Sequence, residues 1–297
     1  MLYSNLSRYL KNKYGGEIGK ICIDGGFSCP NRDGKCSFGG CIFCGERGAG
    51  EHIDPTLTIR EQVERGLATG KKDGYIAYFQ NFTNTYAEVD ELKRRYDTAL
   101  ISDRIKVLAI GTRPDCINEE IADLLAEYLK RVDVWVELGL QSASDSTAEY
   151  INRGYKTEVY FEAARLLTER NIPFVTHIII GLPKETEEDI NRTVDAVNRS
   201  RSFGVKIHSL YVMEGTRLAD IYRRGDFEPI SLKEYSYLAA GALARLSPDT
   251  VVHRLTGDCP VGMLVAPAWT ADKSGVLSAV RNALAERGLR QGSLYKE

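Results

Sequence analysis

The sequence predicts an α/β fold, a partial (β/α)6 barrel of the TIM type carrying a C-terminal α/β extension. Two observations predict it. Short runs rich in Ile, Val, Tyr and Phe alternate with amphipathic stretches six times in succession, a pattern that calls for parallel strands joined by helical crossovers. Several of those runs end in polar or glycine-containing segments, as the mouth of a barrel requires for its reactive groups. An open doubly wound sheet shares the alternation and stays open at this point.

The expected strands are 18–27, 75–82, 106–111, 134–140, 174–181 and 205–212, each dense in β-branched and aromatic residues. Between the first two, residues 55–70 place Leu57, Ile59, Val63 and Leu67 at helical spacing and stop at Gly66 or Gly70. Residues 87–100 are helical by composition. Residues 119–130 set Ile121, Leu124, Leu125 and Tyr128 on one face, with Asn118 as N-cap. Residues 157–170 and 186–203 continue the series, the latter opening on Thr186-x-x-Asp189, a capping box with Asp in place of Glu. The polar strand ends are Asn81 and Asn84, Thr112 and Arg113, Gln141 and Ser142, and the Gly181-Leu182-Pro183 turn.

The last third reads as a helix over 231–246, a strand over 251–256 and a final helix over 271–287 introduced by Trp269. No linker sets it apart. The expected organisation is a barrel over 1–215 and an extension over 216–297 packed upon it.

Composition narrows the function classes. At 43% hydrophobic, the 297-residue chain has enough apolar surface for a large core. Its 39 Lys and Arg against 41 Asp and Glu give a net charge of −2, so any nucleic-acid binding must rest on a local patch. No apolar stretch reaches the roughly 18 residues of a membrane span. The N-terminus runs straight into the charged segment Arg8 to Lys13 and has no signal-peptide core. A cytoplasmic protein without membrane contact is expected.

Seven cysteines, at 22, 29, 36, 41, 44, 116 and 259, point to metal or redox chemistry, and five of them lie within 23 positions. The segment Cys29-Pro-Asn-Arg-Asp-Gly-Lys-Cys36-Ser-Phe-Gly-Gly-Cys41-Ile-Phe-Cys44 follows the first strand, on a loop at its C-terminal end. Cys41-x-x-Cys44 can turn two sulfurs onto one centre, and Gly39-Gly40 lets the backbone approach a bulky ligand. Three readings arise. One is a structural zinc site on Cys29, Cys36, Cys41 and Cys44, stabilising a binding module. Another is a thioredoxin-like redox pair of Cys41 and Cys44. The third is an iron–sulfur cluster on three cysteines, with one iron open to a small molecule.

The ordered set of segments resembles radical S-adenosylmethionine enzymes, specifically the YhcC/YtqA-like group. The residues are Gly25-Gly26-Phe27-Ser28-Cys29-Pro30-Asn31-Arg32-Asp33-Gly34, Gly39 to Cys44, Gly139-Leu140-Gln141-Ser142, Asn152-Arg153-Gly154 and His177 to Pro183. Further matches are Lys206-Ile207-His208, Gly215-Thr216, His253 to Asp258 and Leu264 to Trp269. The wide first cysteine gap is similar to that of the elongator catalytic subunit.

The resemblance implies a 4Fe–4S cluster held by Cys29, Cys41 and Cys44, with Cys36 offering a rival to Cys29. It implies S-adenosylmethionine chelated to the open iron, cleavage to methionine and a 5′-deoxyadenosyl radical, and removal of a hydrogen atom from a substrate. An electron donor of the flavodoxin or ferredoxin type is the implied partner. Phe43 is expected near the adenine, Asn81 at the cofactor amino group, and Gln141 on the barrel wall. Arg153 is the expected partner of the cofactor carboxylate. His177 is expected at the ribose or in the core, and Gly181 and Leu182 against the adenine. The substrate candidates are tRNA, a small metabolite or a peptide. Arg199, Arg201, Lys206, Arg217, Arg223 and Arg224 are the candidate phosphate contacts.

Overall fold

The computed structural model describes residues 2–48, 50 and 53–296. In chain order it forms α1 (Leu6–Tyr14), β1 (Ile18–Ile23), α2 (Ile59–Thr69), β2 (Gly74–Phe79), α3 (Val89–Ala99), β3 (Ile105–Thr112), α4 (Glu119–Tyr128) and β4 (Asp133–Gln141). There follow α5 (Asp145–Tyr150), α6 (Thr157–Glu169), β5 (Phe174–Ile180), α7 (Glu187–Arg199), β6 (Gly204–Ser209), β7 (Val212–Met213) and α8 (Arg217–Arg223). The chain closes with α9 (Leu232–Arg245), β8 (Val251–Arg254), β9 (Leu264–Ala266) and α10 (Lys273–Glu286).

One sheet of seven strands runs in the order β1-β2-β3-β4-β5-β6-β8, and every pairing in it is parallel. The sheet curls into a partial barrel whose edges are β1 and β8. The strand read at 251–256 is thus the seventh barrel strand, donated by the last third of the chain. β7 and β9 form a separate antiparallel pair.

Side chains divide by parity, as a period of two dictates. Leu108 and Ile110 of β3 and Leu138 of β4 pack outward with the helices in the main core. Val107, Ala109 and Trp135 point inward, where Leu10 and Ile76 join them. Helix α1 supplies Leu6, Tyr9 and Leu10 to that inner cluster and so plugs the N-terminal end of the barrel. It is capped by the Asn5 side chain and ends at Gly15, whose φ of 72° suits glycine. This helix carries its apolar residues at i, i+3 and i+4 and was not expected.

Local signals account for most boundaries. The reciprocal capping boxes Thr58–Glu61 and Thr186–Asp189 start α2 and α7, each contributing about 1 kcal/mol. Several expected strands end earlier than read, among them 18–27, 75–82, 205–212 and 251–256. β1 stops at Ile23 because Gly26, at φ 69°, turns the chain, and the Phe27 ring is covered by the Arg95 guanidinium at 4.3 Å. The stretch 205–212 breaks after Ser209 into β6 and β7.

Candidate active site

A cavity of about 340 Å³ occupies the barrel toward the C-terminal ends of its strands. Cys29, Cys41, Cys44 and Phe43 form part of its wall. The loop bearing them is held from several sides. Asn31 Nδ2 donates to Asn152 O at 2.6 Å, and Asn152 Nδ2 donates to Gly40 O at 2.8 Å. Gly40 N donates to Asn31 O, Ile42 N to Ile151 O, and Arg217 Nη2 to Gly40 O. Gly40 has φ 73°, and a Cβ there would meet Arg32 Nε at 3.1 Å. Any other residue would be strained at this bend.

The sulfur atoms differ in surroundings. The Cys44 thiol donates to Cys41, which opposes the effect of burial and, with Arg113, Asn31 and Arg153 nearby, holds Cys41 down at about 7. Asn31 Nδ2 lies 3.7 Å from Cys41 Sγ. Giving that proton to Cys41, with burial adding to the effect, pushes Cys44 up. Cys36 is exposed, off the cavity wall, with its Sγ 3.7 Å from Asp115 Oδ2. A four-cysteine set is therefore not assembled. Among the described residues, no three His, Cys, Asp or Glu side chains gather as a single metal ion needs. A set of three thiols around one cavity suits a larger inorganic group better than a zinc ion.

Three other expected site residues, Gln141, His177 and Arg153, also line the cavity in distinct ways. Gln141 stands at the end of β4 in the left-handed region, φ 57°, and accepts from Tyr155 Oη at 3.3 Å. Phe82, past β2, is on the same wall at φ 56°. Such backbone costs about 1–2 kcal/mol per residue and concentrates at functional sites. His177 faces the cavity, its Nε2 2.7 Å from Glu137 Oε2. Arg153 touches the cavity but is fully buried, and all five of its N–H groups are committed. They go to Leu140 O, Ser142 O, Tyr155 O twice and Thr157 Oγ1. No donor is left for a cofactor carboxylate, which corrects the expected role. Arg153 instead ties β4 to the following loop and packs over Tyr155, with Arg113 over the same ring. Arg153→Met is expected to cost about 3 kcal/mol or more, because it strands the three buried carbonyls. The fall in the urea midpoint measures it.

Asn81, Gly181 and Leu182 are not on the cavity wall. Asn81 has the parity of Phe79 and donates to Asp24 Oδ2 at 2.6 Å, while Gln80 and Thr83 face the cavity. Gly181 faces Ile230, and Leu182 is buried with Ile42 and Leu210 in a cluster that underlies the cysteine loop. Ile179 takes the wall position on β5. The basic stretch is also dispersed. Arg223 pairs with Glu214, Arg224 with Asp226, Arg199 covers Phe161, and Lys206 is inside the barrel. Glu185 accepts from Ser142 Oγ, and burial raises its carboxyl to about 7.

The floor is formed by Glu137, which shares a strand face with Gln141, and by Lys206, grouped in the sequence with the candidate phosphate contacts. Lys206 and Glu137, each 3% exposed, form an ion pair across the barrel. Lys206 also donates to Tyr78 Oη at 3.2 Å. The available signal was parity: 206 and 208 share a face, as do 137 and 141.

This geometry has counterparts. The family model described as "Radical SAM superfamily" matches residues 34–197, and one described as "Radical_SAM C-terminal domain" matches 203–286. The uncharacterized protein YtqA of Bacillus subtilis is 38% identical over 99% of this chain and 93% of its own. The chain belongs to the radical SAM superfamily. A solved structure of the Methanocaldococcus infernus Elp3 with an N-terminal deletion superposes with a TM-score of 0.69 at 19% identity, covering 92% of this chain and 64% of that one. The tRNA uridine(34) acetyltransferase of Methanocaldococcus infernus is 25% identical over 86% of this chain and 55% of its own.

As a radical SAM protein, the chain has a 4Fe–4S cluster and S-adenosylmethionine as its cofactors. The donor set fits them: three thiols on one wall, an amide beside Cys41, and a loop braced by Asn152 and Arg217. Among the described residues, no helix is long and apolar enough to cross a membrane.

Proposed function

We propose that this protein is an enzyme that cleaves S-adenosylmethionine reductively and takes a hydrogen atom from a substrate held inside the barrel. The observation that carries the reading is the convergence of Cys29, Cys41 and Cys44 on the cavity while Cys36 stays outside. Those three residues hold the cluster in this reading. When bound, the cofactors supply the 5′-deoxyadenosyl radical. The chain supplies the rest. Phe43, Gln141, Tyr155 and Ile179 shape the wall against which the cofactor packs, and the plugged barrel end keeps water from below. The electron comes from a flavodoxin or ferredoxin type of donor, and the compartment is the cytoplasm.

The finer reading is a role in tRNA modification, supported by the likeness to a tRNA uridine(34) acetyltransferase and to elongator relatives. Comparing the modified nucleosides of a deletion strain with those of its parent tests it. A missing nucleoside supports the role, and an unchanged profile rejects it. A second reading, a small-metabolite substrate, is favoured by the charged floor, which lies too deep for a polymer backbone.

A further inference from the structure

The barrel floor is unusual in its charge. The interiors of such barrels are ordinarily filled with branched apolar side chains. Here Glu137 is the one buried carboxylate lining the cavity among the described residues, ringed by Lys206, His177 and Tyr78, while the exposed Asp258 also lines it. Two further cations reach the same space from the sheet edges. Lys20 of β1 lies with its Nζ 4.8 Å from the Tyr78 ring centroid. Among the described residues it has no carboxylate within ion-pair distance. Arg254 of β8 lies only 3.5 Å from Asp258, a carboxylate it shares with Lys273. Among the described residues, Lys206, Lys20 and Arg254 thus face one buried carboxylate, Glu137, and the exposed Asp258.

The ionisation of the floor tells the same story. Burial, opposed by the charge of Glu137 and aided by the positive charges of Lys20 and Arg254, lowers Lys206 to about 7. Burial opposes the charge of Glu137, yet Lys206, His177 and Lys20 together hold its carboxyl well below the usual range. Burial and neighbouring cations also depress His177 and His208, leaving neutral imidazoles. Positive charge is in surplus. His208, with its ring 5.2 Å from that of His177, adds a buried Nε2 that has no hydrogen-bond partner in the described structure. A floor built this way leaves the exposed Lys20 ammonium without a carboxylate and the buried His208 Nε2 without a partner, and a buried polar atom left so is costly.

Depth separates this layer from the cluster loop. Glu137 precedes Gln141, the end of β4, by four residues, and Lys206 precedes Ser209, the end of β6, by three. At about 3.3 Å per residue the ion pair lies roughly 10–13 Å below those strand ends. We infer that Lys206, Lys20, Arg254 and His208 form a subsite for the anionic head of a small substrate, a carboxylate or a phosphate, anchored at the barrel floor with its reacting carbon toward the cysteine loop. This rests on the radical-enzyme reading for its orientation but not for the binding itself.

The test uses reconstituted, cofactor-loaded protein with no reductant, titrated with inorganic phosphate and with malonate. Broadening of the 31P and 13C signals reads binding. The expected result is saturable binding of one or both anions, weakened about tenfold or more in Lys20→Met and in Arg254→Met, as loss of a charged hydrogen bond predicts. Both residues sit on edge strands, so the cluster absorbance of each variant should be unchanged and verifies folding. Tighter phosphate points to a phosphorylated substrate, and tighter malonate to a carboxylic acid. No saturable binding, or equal binding in both variants, overturns the inference. Anion binding without cofactor cleavage would sink only the enzyme reading, and cleavage without anion binding only this one.

Discussion

Cys29→Ser, Cys41→Ser and Cys44→Ser each lose essentially all the iron–sulfur absorbance of anaerobically reconstituted protein, while Cys36→Ser keeps it. The expectation follows from where the loop puts its sulfurs. Cys29, Cys41 and Cys44 share one wall, and the Cys44 proton sits between two of them, so that Cys41 is the readier thiolate. A thiolate is the ligand form, and removing one of three leaves too few to retain a cluster. Cys36 points to Asp115, and partial burial together with that carboxylate raises its thiol. Iron and sulfide analysis of the four variants checks this. Loss of the cluster in Cys36→Ser with retention in Cys29→Ser would invert the assignment.

Lys206→Met is expected to destabilise the fold by about 3–5 kcal/mol, and adding Glu137→Gln is expected to recover most of that loss. Removing the ammonium alone leaves Glu137 as a buried anion with only the neutral partners His177 and Tyr78 beside it. Removing both charges replaces an expensive pair with neutral groups. The double-mutant cycle by urea denaturation isolates this coupling. The pH dependence has a definite sign. Lys206 titrates near 7 in the fold and near 10 in the unfolded chain, so the unfolded chain binds more protons between those values. Its contribution therefore improves as pH rises from about 7 to about 10, and below 7 its cost is complete. Glu137 works in the opposite range: its folded pKa is depressed, so its contribution is present above about 4.5 and fades as acid protonates it. Wild-type stability measured against Lys206→Met across both windows tests the two signs.

The six leading strands were legible because each is a dense run of β-branched and aromatic residues buried on the outer face by its own following helix. Cavity-facing positions were legible where a strand was long enough for parity to hold, as for Gln141 and His177. Asn81 was expected at the cofactor from the resemblance alone, whereas parity puts it with Phe79 and leaves the cavity to Tyr78 and Gln80. Arg153 misled for a different reason. A guanidinium after a strand suggests an anion, but its acceptors here are backbone carbonyls, whose positions no side-chain pattern encodes. Lys206 sits among surface arginines in sequence and was read with them, although the shared face with His208 placed it indoors. The helix α1 is short and polar overall, and only its packing at the barrel end gives Leu6, Tyr9 and Leu10 a purpose.

The central claim is that the three-cysteine wall serves radical chemistry. Anaerobically reconstituted protein, mixed with dithionite and S-adenosylmethionine, should release 5′-deoxyadenosine and methionine, quantified by chromatography. Neither product should form without the reductant or with Cys41→Ser. A protein carrying a full cluster that releases no 5′-deoxyadenosine under reduction would contradict the account.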